Sequence, residues 1–558
     1  MEKITKITEK HGEKIVWFFI LLYVTIFSVI CIWKYNNFLY NGLDLGIINN
    51  VFYNSLDGNW LWSSIQGHNY FGDHFTPILF IILPIYAIYP SAITLLVLQT
   101  LFLGLTAWVI YKISLNITKQ KTLSVLISLL WLINPLVHNI NLFEFHFISL
   151  APIIILSAFY YYLKIKNGNE ANKTTFLYYF IFIFLSLLIR EDIAFILLGL
   201  ILIMISDWIK SKKNKALNYK IIRLLISSCL MIITYSLIAF KLVGVFSPSS
   251  VSPFIYYYGW LGSSASEIIK NIFLKFDLVL KHLVTLGNFE MITGLLLPFL
   301  FLPLLKPKYL WLGFIPAGQI MLSAAGGGAL VWQLHYAALF LPGLVIGFIY
   351  GFKKLNKFIN RQLGVKYLLI IALIGINVYL GFYFGPFAGK SPRPELALMS
   401  INKKNLDIKN MCQQIPASES VLSSYDFQSN LSSRQNIYSL HYYFLGQQQF
   451  AQAEYILPES PDYVLIDFDE FTTYQIHLKN LAWSKQYYTD GRTRMDNLLK
   501  NYGSLGRVGE VYLLGNNMGS EFDFNDEYEQ HVIKDSNLTG GVEIAKWRTV
   551  KRVIDFEK

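Results

Sequence analysis

The chain has 558 residues, of which 54% are hydrophobic and only 15% charged. Soluble domains of ordinary make-up carry about 25% charged residues, so a soluble enzyme is excluded as the whole of the protein and membrane insertion is indicated. The net charge of +11 is no mark of nucleic-acid binding, because it is unevenly spread: 29 basic and 14 acidic residues precede residue 390, against 18 and 22 from there on.

About 20 consecutive apolar residues suffice to cross a bilayer as a helix. Eleven such spans are predicted, at 14–34, 91–111, 122–140, 148–164, 175–190, 193–209, 221–242, 284–305, 309–325, 336–352 and 367–387. The first, in KHGEKIVWFFILLYVTIFSVI, is too long in its apolar part for a secretory signal and is followed by no small-residue cleavage site, so it is expected to be retained. Lysine and arginine set the orientation. They cluster at Lys3–Lys14, Lys112–Lys121, Lys210–Arg223, Lys306–Lys308 and Lys353–Lys366, whereas residues 35–75, 243–265 and 326–335 have none. Every basic cluster falls on the side of the N-terminus, and the positive-inside rule makes that side cytoplasmic. The positive charge then faces anionic lipid.

An odd number of spans puts the tail outside. GPFAGKSPRPE reads as a linker, which divides the chain into a membrane domain at 1–387 and an extracytoplasmic soluble domain at 388–558. In the latter, β-type runs such as SVLSSYDF and DYVLIDF alternate with helical stretches such as TRMDNLLKNYG, suggesting a small α/β domain. HYYFLGQQQF, from His441, has the aromatic and polar make-up to touch a lipid or sugar. Asn430 and Asn537 open glycosylation triplets of little weight. Cys31, Cys229 and Cys412 show neither disulfide nor metal spacing.

Acids and bases gather in the loops that this count puts outside. The first loop carries Asp44 and ends at FGDHFTP, with Asp73 and His74. The apolar run after it, ILFIILPIYAIY, is too short to cross and is expected to lie along the interface. The second loop holds Glu144 and His146, the third Arg190, Glu191 and Asp192, and the last His335 and Tyr336. Ionisable groups at a membrane are costly and are usually paired or functional. Four such loops on one face suggest an outward-facing polar pocket. Asp44, in a wet loop, suits a base that takes a proton from a hydroxyl. Arg190 flanked by two acids suits a phosphate contact. A pocket at this rim reaches the head group of a lipid carrier whose tail stays in the bilayer. Asp73, His74, Glu144 and His146 also suit a divalent metal by type, though without recognised ligand spacing.

FGDHFTPILFIILPIYAIYPSAITLLVLQTLF, EFHF, the RED hairpin and LHYAALFLP together resemble the polytopic membrane family DUF 2079, and the likeness extends more weakly into SVLSSYDFQSNLSSRQNIYSL and PDYVLIDF. That family is similar to the GT-C glycosyltransferases, which include the protein O-mannosyltransferases and the aminoarabinose transferase of lipid A. The resemblance implies a polytopic α-helical membrane protein of about eleven transmembrane helices, with a GT-C-like core, interfacial helices and an outer α/β domain. It implies a plasma-membrane enzyme that moves a sugar from a polyprenyl-phosphate carrier to an acceptor glycan, lipid or protein, with inversion. Asp44 would be the general base. Arg190 would hold the donor phosphate, oriented by Glu191 and Asp192. His335 and Tyr336 would contact the lipid phosphate or the acceptor. Asp73, His74, Glu144 and His146 would line the pocket and could hold a divalent cation such as Mg or Mn. The chain departs from the superfamily at two points. His74-Phe75-Thr76-Pro77 stands for His-Pro-Pro, and Phe145 and His146 stand where an Arg and an Asp usually accompany the second acid.

Two other functions fit the composition. A transporter would place its site at mid-membrane on broken helices, whereas the spans here hold few ionisable residues. A non-catalytic assembly or sensor protein would bind ligand through the outer domain.

Overall fold

The computed structural model describes residues 2–167, 172–211, 213–248, 253–324, 327–358, 363–383, 385, 403–448, 453–471 and 482–533. All of the predicted linker except Gly385, and Asn537, lie outside them. The apolar runs form helices because a backbone in hydrocarbon must satisfy its own amide groups. After α1 (Glu2–Asn36), a long loop carries α2 (Ile47–Leu56), a ladder of β1 (Trp62–Ser63) with β2 (His68–Asn69), and α3 (Ile78–Tyr86). Then follow α4 (Ala92–Thr118), α5 (Lys121–Leu132), α6 (Pro135–Leu142), α7 (Ala151–Asn167), α8 (Lys173–Ile189), α9 (Ile193–Lys210) and α10 (Lys215–Phe246). The short α11 (Ala265–Leu274), α12 (Phe276–Leu283) and α13 (Leu286–Leu296) lead to α14 (Trp311–Leu322), α15 (Ala329–Gln333), α16 (Leu341–Phe358) and α17 (Leu363–Tyr383).

Among the described residues six helices are long and apolar enough to cross a membrane: α1, α4, α7 with the turn before it, α9, α10 and α17. A seventh is added if α5 and α6, bent by 42°, count as one span. The expected eleven are not all matched by helices of this kind among the described residues. The runs at 284–305 and 309–325 are not continuous helices. Pro298, Pro303 and Pro307 interrupt them, Pro316 lies inside α14, and Leu300 and Phe301 take left-handed conformations; proline removes a backbone donor and clashes with the preceding turn. The irregular segment has its own seat. A Cβ on Gly343, Gly347 or Gly351 of α16 would come within 3.2 Å of Tyr309, Pro303 or Leu302, a small-residue face of the kind that lets membrane backbones approach. The 17 residues of α8 fall just short of a span, and α16 carries Lys353, Lys354 and Lys357 in its second half.

The bundle has a basic end and an acidic end. At the basic end Asp207 of α9 is bonded by Lys166 of α7 (2.8 Å), by Lys308 and by the Tyr162 hydroxyl (2.8 Å), while Lys353 reaches the Ile117 carbonyl and Lys121 the Glu9 carbonyl. At the other end lie the loops after α1, α6 and α8 and before α16. α10 closes onto that end. A Cβ on Gly72 would sit 2.4 Å from the Phe246 carbonyl oxygen, so FGDH fits only because residue 72 has no side chain. Gly72→Ala is expected to lower stability by about 1–3 kcal/mol, the usual cost of overpacking. Gly244→Ala is the control: nothing lies within 4 Å of its Cβ, and helix propensity there favours Ala by up to about 1 kcal/mol. Thermal unfolding in detergent separates the two.

Beyond α18 (Lys403–Cys412) lie β3 (Val421–Ser423), α19 (Gln428–Leu431), β4 (Ile437–Ser439), α20 (Leu440–Leu445), β5 (Tyr463–Asp467), α21 (Ala482–Leu499), β6 (Tyr502–Val508), β7 (Val511–Asn516) and α22 (Phe524–Tyr528). The strands form one sheet in the order β4-β3-β5-β7-β6, parallel across β4, β3 and β5 and antiparallel from there. This C-terminal unit is bonded to the acidic end of the bundle by amides and hydroxyls. Asn49 Nδ2 donates to Ser432 Oγ (2.8 Å) and Ser433 Oγ (3.0 Å), Asn50 Nδ2 to the Arg434 carbonyl (2.9 Å), and Asn430 Nδ2 to the Tyr35 carbonyl (2.9 Å). The Asn430 amide is thus committed to α1.

Candidate functional site

The loop after α1 turns sharply at Gly42–Gly46, a π-helical turn that contains Asp44. Asn41 caps it by accepting the Leu43 N–H. Glu144, from the loop after α6, then inserts beneath: its Oε2 accepts the N–H of Asp44 (3.0 Å) and of Leu45 (2.8 Å). A carboxylate on free amides at the start of a helical turn is a favourable pairing. Glu144 therefore presents Asp44, whose side chain is 22% exposed, while being itself only 3% exposed.

Burial raises the Glu144 pKa to about 7, against the lowering effect of the amides and Lys34. A carboxyl whose folded value lies above its ordinary 4.5 contributes stability that is complete below that value and is lost as pH rises through about 7. The stability difference between wild type and Glu144→Gln is therefore expected to shift against wild type from pH 4.5 to above 7. His146 and His335 titrate in both proteins and cancel in the difference. Unfolding midpoints across this range check it; a constant difference would refute it.

His335 Nδ1 lies 3.9 Å from Asp44 Oδ2. The His335 ring stacks on His146 at 3.9 Å and 10°, and Tyr336 lies 4.3 Å away. Burial pushes both imidazoles well below the usual histidine range, and the charge of Arg190 and proximity of His74 act in the same direction; both rings are neutral at pH 7. Arg190 is gripped by Asp192, through Nε at 2.7 Å and through Nη2. Glu191 does not orient Arg190 in this way. It turns to FGDHFTP, where it lies 2.9 Å from His74 Nδ1 and accepts the Phe75 N–H at 2.9 Å. Asp73 faces His68 Nε2 (3.1 Å) and accepts from Gln66 Nε2. Burial works against protonation of His68, but the bond and charge of Asp73 outweigh it and raise its pKa.

Asp44, His146, Arg190, His335 and Tyr336 thus form one cluster, with Glu144 beneath it and Glu191–His74 beside it. Asp73, His74, Glu144 and His146 do not gather as one ligand set, because Glu144 is spent on backbone amides and Asp73 on Gln66 and His68. No group of three His, Cys, Asp or Glu suited to a metal occurs among the described residues. Pro77 stands at the N-cap of α3.

Sequence reasoning missed several members. Buried Lys34 donates to the Leu142 carbonyl (2.6 Å) next to Glu144. Its signal was a lysine at the far end of a span with no basic residue in the next 41 positions. Gln99, an amide within α4, bonds the Ile140 and Asn141 carbonyls and receives the His146 N–H (3.1 Å). The C-terminal unit supplies a roof. A Cβ on Gly42 would collide with the Gln428 side chain, and Gln448 donates to the Gln66 carbonyl. Burial and the charges of Asp73 and Asp44 raise the pKa of Tyr442. HYYFLGQQ, the described part of the stretch noted above for its make-up, forms this roof with Gln428.

A family model described as Predicted membrane protein (DUF2079) matches residues 34–502. The chain belongs to the DUF2079 family. The DUF2079 match runs from Lys34 at the end of α1 to Tyr502 at the start of β6, and so takes in the clustered loops and the roof together. No curated protein matches this DUF2079 chain. Its apolar helices imply a lipid bilayer as its surroundings.

Proposed function

We propose that this DUF2079 protein is a GT-C-type inverting glycosyltransferase of the plasma membrane. It transfers a sugar from a polyprenyl-phosphate carrier to an acceptor glycan, lipid or protein. The N-terminus and basic end face the cytoplasm, and the membrane unit at 1–387 opens its site to the outer side under the unit at 388–558. One observation carries the reading: acids, imidazoles and an arginine from four loops far apart in sequence gather around Asp44 at the end of the bundle opposite the Asp207–Lys166–Lys308 cluster.

Asp44 takes the proton of the acceptor hydroxyl. Glu144 fixes the turn that carries Asp44. Arg190, kept rigid by Asp192, meets the donor phosphate, with Tyr336 beside it. Asp73 with His68, and His74 with Glu191, hold FGDHFTP at the rim; a divalent cation such as Mg or Mn, if used, would enter with the donor phosphate. The leaving group is a lipid phosphate, which departs with little acid help.

The test uses purified protein in detergent and a panel of polyprenyl-phosphate sugars, with thermal shift and release of polyprenyl phosphate as readouts. Stabilisation and release with one donor are expected. Silence towards every donor would overturn the reading and favour a non-catalytic membrane protein.

A further inference from the structure

We infer that Asp44 and His335 together seat a single hydroxyl oxygen, and that the nucleophilic hydroxyl of the acceptor binds there. His335 opens the turn before α16, and its side chain is 6% exposed. Its Nδ1 is buried and has no hydrogen-bond partner among the described residues. A buried polar atom left unpaired is costly and calls for an explanation. Nδ1 faces Asp44 Oδ2 at 3.9 Å, too far for a direct hydrogen bond. One oxygen making bonds of about 2.8 Å to each atom would see them at an angle of about 90°.

The ring on one side of the gap and the backbone on the other are held in place. The His335 ring is stacked on His146 and flanked by Phe143 at 5.4 Å. His146 is fixed in turn, because its Nδ1 accepts the Ile148 N–H at 3.2 Å and its own N–H donates to Gln99 Oε1 at 3.1 Å. The backbone of Asp44 is pinned by Glu144. The partners select the ligand. A carboxylate oxygen accepts, and with its proton on Nδ1 a neutral imidazole donates. A hydroxyl supplies both; an anion would oppose Asp44, and one carboxylate with one neutral imidazole makes a poor cation site.

Naming the hydroxyl as the acceptor's rests on the glycosyl-transfer reading; the seat itself does not. In the step, the Asp44 carboxylate takes the hydroxyl proton as the oxygen forms its bond to the anomeric carbon. The bond from that carbon to the phosphate oxygen breaks, and its electron pair leaves with the polyprenyl phosphate. His335 holds the oxygen on line and exchanges no proton.

Two measurements on the full chain in lipid nanodiscs decide it. The first is a cryo-electron microscopy map that resolves ordered water. One peak within hydrogen-bond distance of Asp44 Oδ2 and His335 Nδ1 is expected; an empty gap, or the two side chains in direct contact, overturns the seat whether or not the protein has activity. The second is release of polyprenyl phosphate by His335 variants, with donor binding followed separately by thermal shift. His335→Asn keeps an amide near the Nδ1 position, whereas His335→Gln puts it near Nε2 and His335→Leu removes it. His335→Gln and His335→Leu are expected to lose about tenfold or more in rate at unchanged donor affinity, and His335→Asn to recover most of it, as for one hydrogen bond lost and restored. Equal losses in all three variants would make His335 merely structural and overturn its role. If no donor is turned over, the glycosyl-transfer reading fails and the map alone decides the seat.

Discussion

Asp44→Asn is expected to cut release of polyprenyl phosphate by about 10²–10⁴-fold, the range contributed by a positioned general base. The substitution is close to isosteric. The backbone N–H of residue 44 still donates to Glu144, and Asn41 still caps the turn. The unfolding midpoint should therefore stay near that of wild type, and donor binding should survive, because the phosphate is assigned to Arg190. Release, donor-induced thermal shift and midpoint measured on one preparation separate these terms. Loss of release with donor binding retained marks Asp44 as the base. A variant that releases polyprenyl phosphate at the wild-type rate would remove Asp44 from the mechanism.

Asp207→Asn is expected to cost the most stability, about 2–4 kcal/mol. Asp207 is 7% exposed and holds Lys166, Lys308 and the Tyr162 hydroxyl at one point, tying α7, α9 and the segment before α14. Removing one partner of a buried charge cluster leaves the others uncompensated, which costs about 3–5 kcal/mol when burial is complete. The two lysines are about a quarter exposed, and solvent there offsets part of the loss. Lys308→Met added to Asp207→Asn should recover part of it by removing one stranded charge. An unfolding midpoint unmoved by Asp207→Asn would mean that these helix ends are held by packing alone.

The alternation of charge along the chain was legible because lysine is excluded from hydrocarbon: Lys121, Lys166, Lys308 and Lys353 lie at one end of the bundle, while Lys34 lies at the other. The number of spans was not. LPFLFLPLLKPK is apolar enough to pass for membrane helix, but its prolines break it, and the glycine face of α16 that receives it declares itself only in three dimensions. Asp44, Arg190 and His335 stood out because charge and imidazole are rare among apolar residues. Their pairing was less legible. Glu191 and Asp192 are neighbours in sequence, yet one turns to His74 and the other to Arg190. Two-residue strands such as β1 and β2, which carry His68 to Asp73, leave no periodic signal. HYYFLGQQQF stood out by its make-up, but its docking could not be read, since nothing local ties the Asn-rich IINNVFYN to the Ser-rich SNLSSRQ.

That clamp sets an order of events in biogenesis. Asn50 and the Arg434 carbonyl it holds are 384 residues apart, and Gln428, Tyr442 and Gln448 come later than all the membrane helices described. A nascent chain can insert α1 to α17 and hold the whole cluster without its cover. Completion of this face is therefore coupled to synthesis of the last third of the protein. A chain that stops before Ser432 leaves the Asn49 and Asn50 amides without these C-terminal partners.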